Sequence, residues 1–425
     1  MVGVRLAPLM ACVALLAISC SPPASRPNIP TAGADWPTYR GDLARDGHPP
    51  SATLDAAGAA RLQPAWRAHL AGAIDGSPVV SSGKVVVGSA NGELAAFDEK
   101  TGTQLWIRSG LGPISGTPAT AGNRVFAASL TGHVRAFDLA GGRDVWDWKA
   151  AGQQPALWSS PTIYAGLLLI GVGSQAGDTP LESGRIVALD AGSGRERWTI
   201  CAIAGCRPGG GIWSTPSIDS AGHAYVGVGN PVDGVLAFDA RTGDRLWETS
   251  FYSDDGRDLD VGASPVLVDL GGREALAIGS VAGAFKMLDA RSGALIWSID
   301  LDKGSAVHGL IATAAYDGVN LYIGSASPPT ALFARKLDGS DLWTFVTFQP
   351  VYSAPSAGNG VVVFGTGAVF GDLGVGLIVA LSPKDGNVLW SYDAQSAVRS
   401  SPAIAGSLVV VGDAAGDLFE FSPSS

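Results

Sequence analysis

Charge is sparse in this sequence: 28 Lys and Arg stand against 38 Asp and Glu in 425 residues, a net charge of −10. That balance excludes the clustered basic face on which nucleic-acid binding depends. Histidine is sparser still. His48, His69, His133, His223 and His308 fall in different parts of the chain, with no metal-ligand spacing among them. Cysteine occurs four times, and no Cys-x-x-Cys-His step for haem attachment is present. Long helix-period stretches are missing too, which leaves a chain of 58 Gly and 26 Pro to be read as short strands and turns.

The apolar stretch from Leu6 to Ile18, behind the single Arg5, is too short to span a bilayer and reads as an export signal. Leu16-Ala17-Ile18-Ser19-Cys20 resembles a bacterial lipobox, so residues 1–20 are expected to be a signal peptide with Cys20 lipidated; a plain secretory signal is the alternative. Residues 21–34, rich in Pro, Ser and Ala, have the composition of a flexible tether, which leaves 35–425 as the folded part. The expected location is therefore outside the cytoplasm, at the cell envelope through the lipid anchor. In such an oxidising compartment Cys201 and Cys206, close together with Gly between them, are expected to form a loop disulfide.

Tryptophan supplies the organising signal. Trp66, Trp106, Trp146, Trp198, Trp247, Trp297, Trp343 and Trp390 are spaced by 40 to 52 residues, a period in the propeller range. From Trp106 onward each has Gly four residues before it, and a Pro, usually behind Ser or Thr, recurs at 78, 118, 161, 216, 265, 355 and 402. The unit reads as four strands: in the first, SPVVSS, KVVVGS, ELAAFD and TQLW are strands A to D. Eight A-to-C sets can be counted, but only seven are followed by their own Trp strand. Trp66 precedes the first set, so an N-terminal strand is expected to close the last blade and remove an open edge. The fold class is all-β, a single eight-bladed β-propeller of four-stranded antiparallel blades, expected to be monomeric.

In this strand order the D-to-A and B-to-C loops share one face. From Trp to the next Pro the gap is 12 residues for blades 1, 2, 7 and 8, but 15, 18 and 18 on entering blades 3, 4 and 5. That decorated face is where a protein or envelope partner is expected to bind, with the membrane touched through the lipid alone. The residues three before each Pro should ring the channel mouth: Asp75, Ser115, Trp158, Trp213, Gly262, Tyr352 and Arg399, with His308 near the corresponding place in blade 6, which lacks the Pro.

These marks resemble the quinoprotein-like propellers of pyrroloquinoline quinone (PQQ) dehydrogenases, including the polyvinyl-alcohol dehydrogenase type, and of the lipoprotein subunit of the outer-membrane assembly machinery. The resemblance covers residues 35 to 422, including the opening DWPTYRGDLARDGH. For the dehydrogenases it implies PQQ and calcium as cofactors. GGGIWSTPSID followed by YVGVGNP implies a quinone-stacking Trp213 and a calcium-binding Asn230, and DLDVGASPVLVDL implies Asp260 as general base, with Asp258 the second choice. Glu182 would be the calcium Glu, although Gln175 aligns about as well; Trp158, Arg399 and His308 would complete the cofactor surroundings. The family's basic quinone anchor has no counterpart, since Ser280 and Val281 stand there and Lys286 is displaced. Two readings follow: a binding or envelope-assembly module, which the missing anchor favours, and a PQQ- and calcium-dependent alcohol dehydrogenase.

Overall fold

The computed structural model describes residues 35–252, 258–305, 308–369 and 375–424. The expected signal peptide, Cys20 and the tether lie outside the described residues. Each repeat forms one four-stranded antiparallel sheet, and there are eight among the described residues. Blade 1 runs Val79–Ser81, Lys84–Gly88, Leu94–Asp98 and Gln104–Arg108 as strands A to D. The inner A strands of blades 2 to 8 are Ala119–Ala121, Thr162–Tyr164, Ser217–Ile218, Val266–Asp269, Ala315–Tyr316, Ser356–Ala357 and Ala403–Ala405. The ring closes as the repeat count requires. Leu62–His69 pairs antiparallel with Asp417–Pro423, placing Trp66 opposite Glu420 and completing blade 8 from the N-terminal side.

The Gly-to-Trp spacing has a packing cause. The indole of each repeat Trp but Trp390 rests on the glycine of the next blade's C-to-D turn; a Cβ on Gly102, whose φ is +67°, would lie 2.6 Å from the Trp66 ring. The indole N–H then donates to a carbonyl of that same turn, as from Trp66 to Glu99 (2.8 Å), Trp106 to Leu139 (3.0 Å) and Trp343 to Pro383 (2.9 Å). Trp146, Trp198, Trp247 and Trp297 repeat the bond. Trp390 faces blade 8, whose outer strand comes from elsewhere in the chain, and packs edge-on against Phe421 instead, at 4.9 Å between centroids. The apolar cores accordingly lie between neighbouring blades: Val79, Val86 and Ala96 of blade 1 pack with Val125 and Phe137 of blade 2.

The inner strands pose a second problem. Their edges face the axis, where backbone groups would stay unpaired without a partner. An N-terminal arm, residues 36–54, runs round the inside of the ring and supplies one. The second residue after five of the seven repeat prolines donates its N–H to the arm: Val80 to Trp36 (3.0 Å), Thr120 to Pro37 (2.8 Å), Ile218 to Leu43 (2.9 Å), Leu267 to Ala44 (3.0 Å) and Ala357 to Gly47 (2.8 Å). Blade 6, with Ala314 in the Pro position, does the same from Tyr316 to Asp46 (2.9 Å), and Thr53 and Leu54 donate to Gly406 of blade 8. Blade 3 is reached by a side chain, Arg45 Nη2 to Thr162 Oγ1 at 2.7 Å.

Arg40 and Arg45 are fully buried in this arm. Arg45 also donates to the carbonyls of Pro216, Tyr39 and Asp42, and Arg40 joins Ala314 of blade 6 to Ala354 and Ser356 of blade 7. Burial pulls both guanidinium groups down to about 10, so they remain charged at neutral pH. Arg45→Ala strands the carbonyl acceptors of two elements in the interior and is expected to lower unfolding free energy by ~3 kcal/mol or more, read from the urea midpoint.

The closing sheet also buries the carboxyl of Glu420. Glu420 is pushed up to about 8 by its burial and then by the charge of Glu99. The folded carboxyl therefore holds its proton more tightly than the unfolded one, and stability declines as pH rises from the ordinary Glu range through about 8. Glu420→Gln should remove that decline: its thermal midpoint matches the parent near pH ~4 and exceeds it increasingly toward alkaline pH. Parallel pH profiles for the two chains would refute the assignment.

Candidate functional site

The residues three before each repeat Pro converge as the spacing predicts. Asp75, Ser115, Trp158, Trp213, Gly262, Tyr352 and Arg399 line a cavity of ≈ 180 Å³ at the axis. In blade 6 the ring position belongs to Ile311; His308 lies three residues earlier and reaches the ring through its Nδ1, 2.5 Å from the Tyr352 hydroxyl. The cavity is a cup, because Tyr39 of the arm lines it and donates to Thr313 Oγ1 at 3.0 Å. At the rim Arg399 Nη2 pairs with Asp75 at 2.7 Å, across the seam between blades 8 and 1.

Trp213, Asn230 and Asp260 come together beside this cup, although three different loops deliver them. The six-membered ring of Trp213 lies against the backbone of Gly262, where a Cβ would come within 1.8 Å, so only glycine admits the indole at this place. The Trp213 side chain lies beside the Asp260 carboxyl and favours its charged form, and the backbone N–H of Asn230 donates to Asp260 Oδ1 at 2.8 Å. The Asn230 amide extends toward Asp258, with Nδ2 at 3.4 Å from Oδ1. Burial pushes the Asp260 carboxyl up to about 6; the Asn230 amide opposes this, while the charges of Asp258 and Asp178 add to it. Asp258 is raised as well, by desolvation and then by Asp178.

The other expected groups are engaged elsewhere. Glu182 is buried, and its Oε1 accepts from the backbone amides of Gln153 (2.7 Å) and Gln154 (2.6 Å), capping the loop that enters blade 3. Gln175 donates to Leu130 at 2.6 Å, and Trp158 donates from its indole nitrogen to Ser174 at 2.9 Å. Lys286 stacks its ammonium over Phe251, 4.7 Å from the ring centroid. Val281 is buried behind Asp260, its N–H donating to the Asp260 carbonyl at 3.1 Å. Cys201 and Cys206 are joined, with Cα atoms 5.2 Å apart. Among the described residues no three His, Cys, Asp or Glu side chains come together as a metal site, and no helix is long and apolar enough to cross a membrane.

Sequence reasoning missed three parts of the site: Tyr39 at the floor, Asp178 among the acids, and the Asp75–Arg399 pair. Only the last had a signal, since both residues occupy the ring position of adjacent blades.

Eight blades, Trp docking and an axial cup with aromatic walls define a PQQ-repeat propeller. The chain belongs to the family whose model is described as outer membrane protein assembly factor BamB, which matches residues 53–275 and 281–425. A polyvinylalcohol dehydrogenase of Pseudomonas sp is 26% identical over 410 residues, covering 79% of this chain and 64% of that protein. The outer membrane protein assembly factor BamB of Burkholderia pseudomallei (strain K96243) is 27% identical over 259 residues, covering 58% of this chain and 61% of that protein. This chain thus spans less than two thirds of the length of these relatives. Among solved structures, quinohemoprotein alcohol dehydrogenase from Comamonas testosteroni superposes with a TM-score of 0.79 at 18% identity, over 94% of this chain and 81% of its own, which shows the shared fold.

Because Trp213 lies beside a carboxyl that burial pushes up to about 6, its fluorescence should follow that proton. The difference spectrum between the parent and Trp213→Phe is expected to change with a midpoint near pH 6, and to lose the transition in Asp260→Asn. A flat difference spectrum from pH ~4 to ~8 would remove Asp260 as the titrating group.

Proposed function

We propose that this chain is an extracytoplasmic binding module of the cell envelope, acting through its D-to-A and B-to-C loop face. The observation that carries this reading is that the groups a quinone–calcium site would draw on already have internal partners. Glu182 is held by two backbone amides and Arg399 by Asp75, and no basic residue stands at Ser280 or Val281. The cup, at ≈ 180 Å³, is also below the ~300 Å³ at which pockets for drug-sized ligands begin. As held here, these residues do not fit a calcium-bound tricyclic quinone. The assembly-factor relative supports an envelope role. The loop face meanwhile exposes apolar side chains, of which Phe348, on the loop entering blade 7, is fully in solvent. A lipid anchor at Cys20 would hold the module at the membrane.

A second reading, a PQQ- and calcium-dependent alcohol dehydrogenase like the polyvinylalcohol relatives, is favoured by one observation. Trp213, Asn230 and Asp260 meet, and Asp260 sits near the operating pH of a general base. It would require Glu182 and Arg399 to exchange partners.

Calorimetry separates the two. Under the first reading, PQQ with calcium gives no saturable heat at micromolar cofactor, while a photo-crosslinking residue at Phe348 captures an envelope protein and one at Val319, on the opposite face, does not. Saturable cofactor binding that disappears in Trp213→Ala, with dye reduction by alcohols lost in Asp260→Asn, would establish the dehydrogenase instead.

A further inference from the structure

Below the rim of the cup lies a collar of hydroxyls whose hydrogen bonding is one-sided. The Ser or Thr at the position before the repeat Pro, present in every blade but blade 7, accepts a backbone N–H from the corresponding residue of the preceding blade. Ser77 donates to Thr117 Oγ1 (2.9 Å), Thr117 to Ser160 Oγ (3.0 Å), Ser160 to Thr215 Oγ1 (3.0 Å), Thr215 to Ser264 Oγ (2.8 Å) and Ser264 to Thr313 Oγ1 (3.0 Å). Ala354 then donates to Ser401 Oγ (3.0 Å), and Ser401 to Ser77 Oγ (3.2 Å). Only the seam from blade 6 to blade 7 is interrupted, because Ala354 has no hydroxyl. All seven hydroxyl residues are more than nine-tenths buried, and all line the cup.

A hydroxyl carries one proton as well as two lone pairs. Among the described residues none of the seven donates that proton. The neighbouring Ser214 and Ser353, one position earlier, do donate theirs, to the carbonyls of Gly227 and Ser400. Thr313 has even less freedom to accept, since it also receives the Tyr39 proton. The collar therefore presents O–H donors to the axis, and buried donors call for an acceptor. At the rim the buried Nε–H of Arg399 has no hydrogen-bond partner, while Asp75 is neutralised by the other end of that guanidinium.

We infer that the cup is a binding site for a small oxyanion, a phosphate- or carboxylate-sized group seated on the axis and held by the hydroxyl collar with Arg399 above it. Charge-assisted bonds to an ionised acceptor are about twice as strong as neutral ones, which favours an anion over water at such a donor ring. The site is independent of whatever the outer loops bind, so a failed partner experiment leaves it standing, and its own failure leaves the loop-face reading standing.

Calorimetry of the folded chain with inorganic phosphate, acetate and glycerol tests it. Saturable binding of phosphate or acetate is expected, with glycerol silent; which of the two binds tells a tetrahedral from a planar anion site. Arg399→Gln and Thr117→Val should each weaken that binding about tenfold or more, whereas Thr117→Ser, which keeps the O–H, should bind as the parent does. Near-ultraviolet dichroism reports whether each variant is folded. If Thr117→Val does not fold, Arg399→Gln and Thr117→Ser decide. Absence of saturable anion binding would mean that the cup holds water only, glycerol binding as tightly as phosphate would mean that it does not select an anion, and a folded Arg399→Gln chain that binds undiminished would place the anion away from Arg399; each of these would overturn the proposal.

Discussion

Eight sheet edges pointing at one axis are the constraint on which this molecule turns. Each blade can pair its strands B, C and D internally, but strand A has a strand of its own blade on one side only, and its free side needs another partner. The arm from Trp36 to Leu54 resolves this by visiting the blades in order and accepting an N–H from nearly every one. Its two buried arginines extend that service to the places the backbone cannot reach, Arg45 at blade 3 and Arg40 at the seam where Ala354 interrupts the hydroxyl collar. The same arm, through Tyr39, turns a channel into a cup. Ring integrity and site shape therefore share one structural element.

The perimeter obeys a different rule. There the seams are joined one at a time by a Trp on a glycine, each joint involving only adjacent blades. This is why the repeat was so visible in the sequence: a contact made locally and seven times leaves a period of Trp and Gly. The Pro marks and the preceding Ser or Thr were visible for the same reason, and they placed seven of the ring residues at the mouth. Closure by the Trp66 strand also followed from counting.

Other parts were illegible for an equally physical reason. The arm is not a repeat, and its side chains are selected by eight different neighbours, so no period could show that Arg40 and Arg45 were interior. The fate of Glu182 depended on whether two amide groups, Gln153 and Gln154, lay within reach, which is a matter of loop path and not of residue type. His308 was placed near the ring because blade 6 lacks its Pro; the backbone register shows Ile311 there, with His308 acting through Tyr352. The hydroxyl collar could be read as residues but not as donors, because the direction of a hydrogen bond has no sequence signature.

Blade 8 takes its outer strand from residues 62–69 and its other three from residues 403–423. The arm that seals the axis lies before all of them. In time, then, the first part of the propeller to be synthesised is the last that can settle, since neither its strand nor its arm has a complete partner until blade 8 arrives. A chain that emerges N-terminus first has to keep the Trp66 strand unpaired until Asp417–Pro423 follows it. Once they lock, the first and last strands of the propeller hold each other in place.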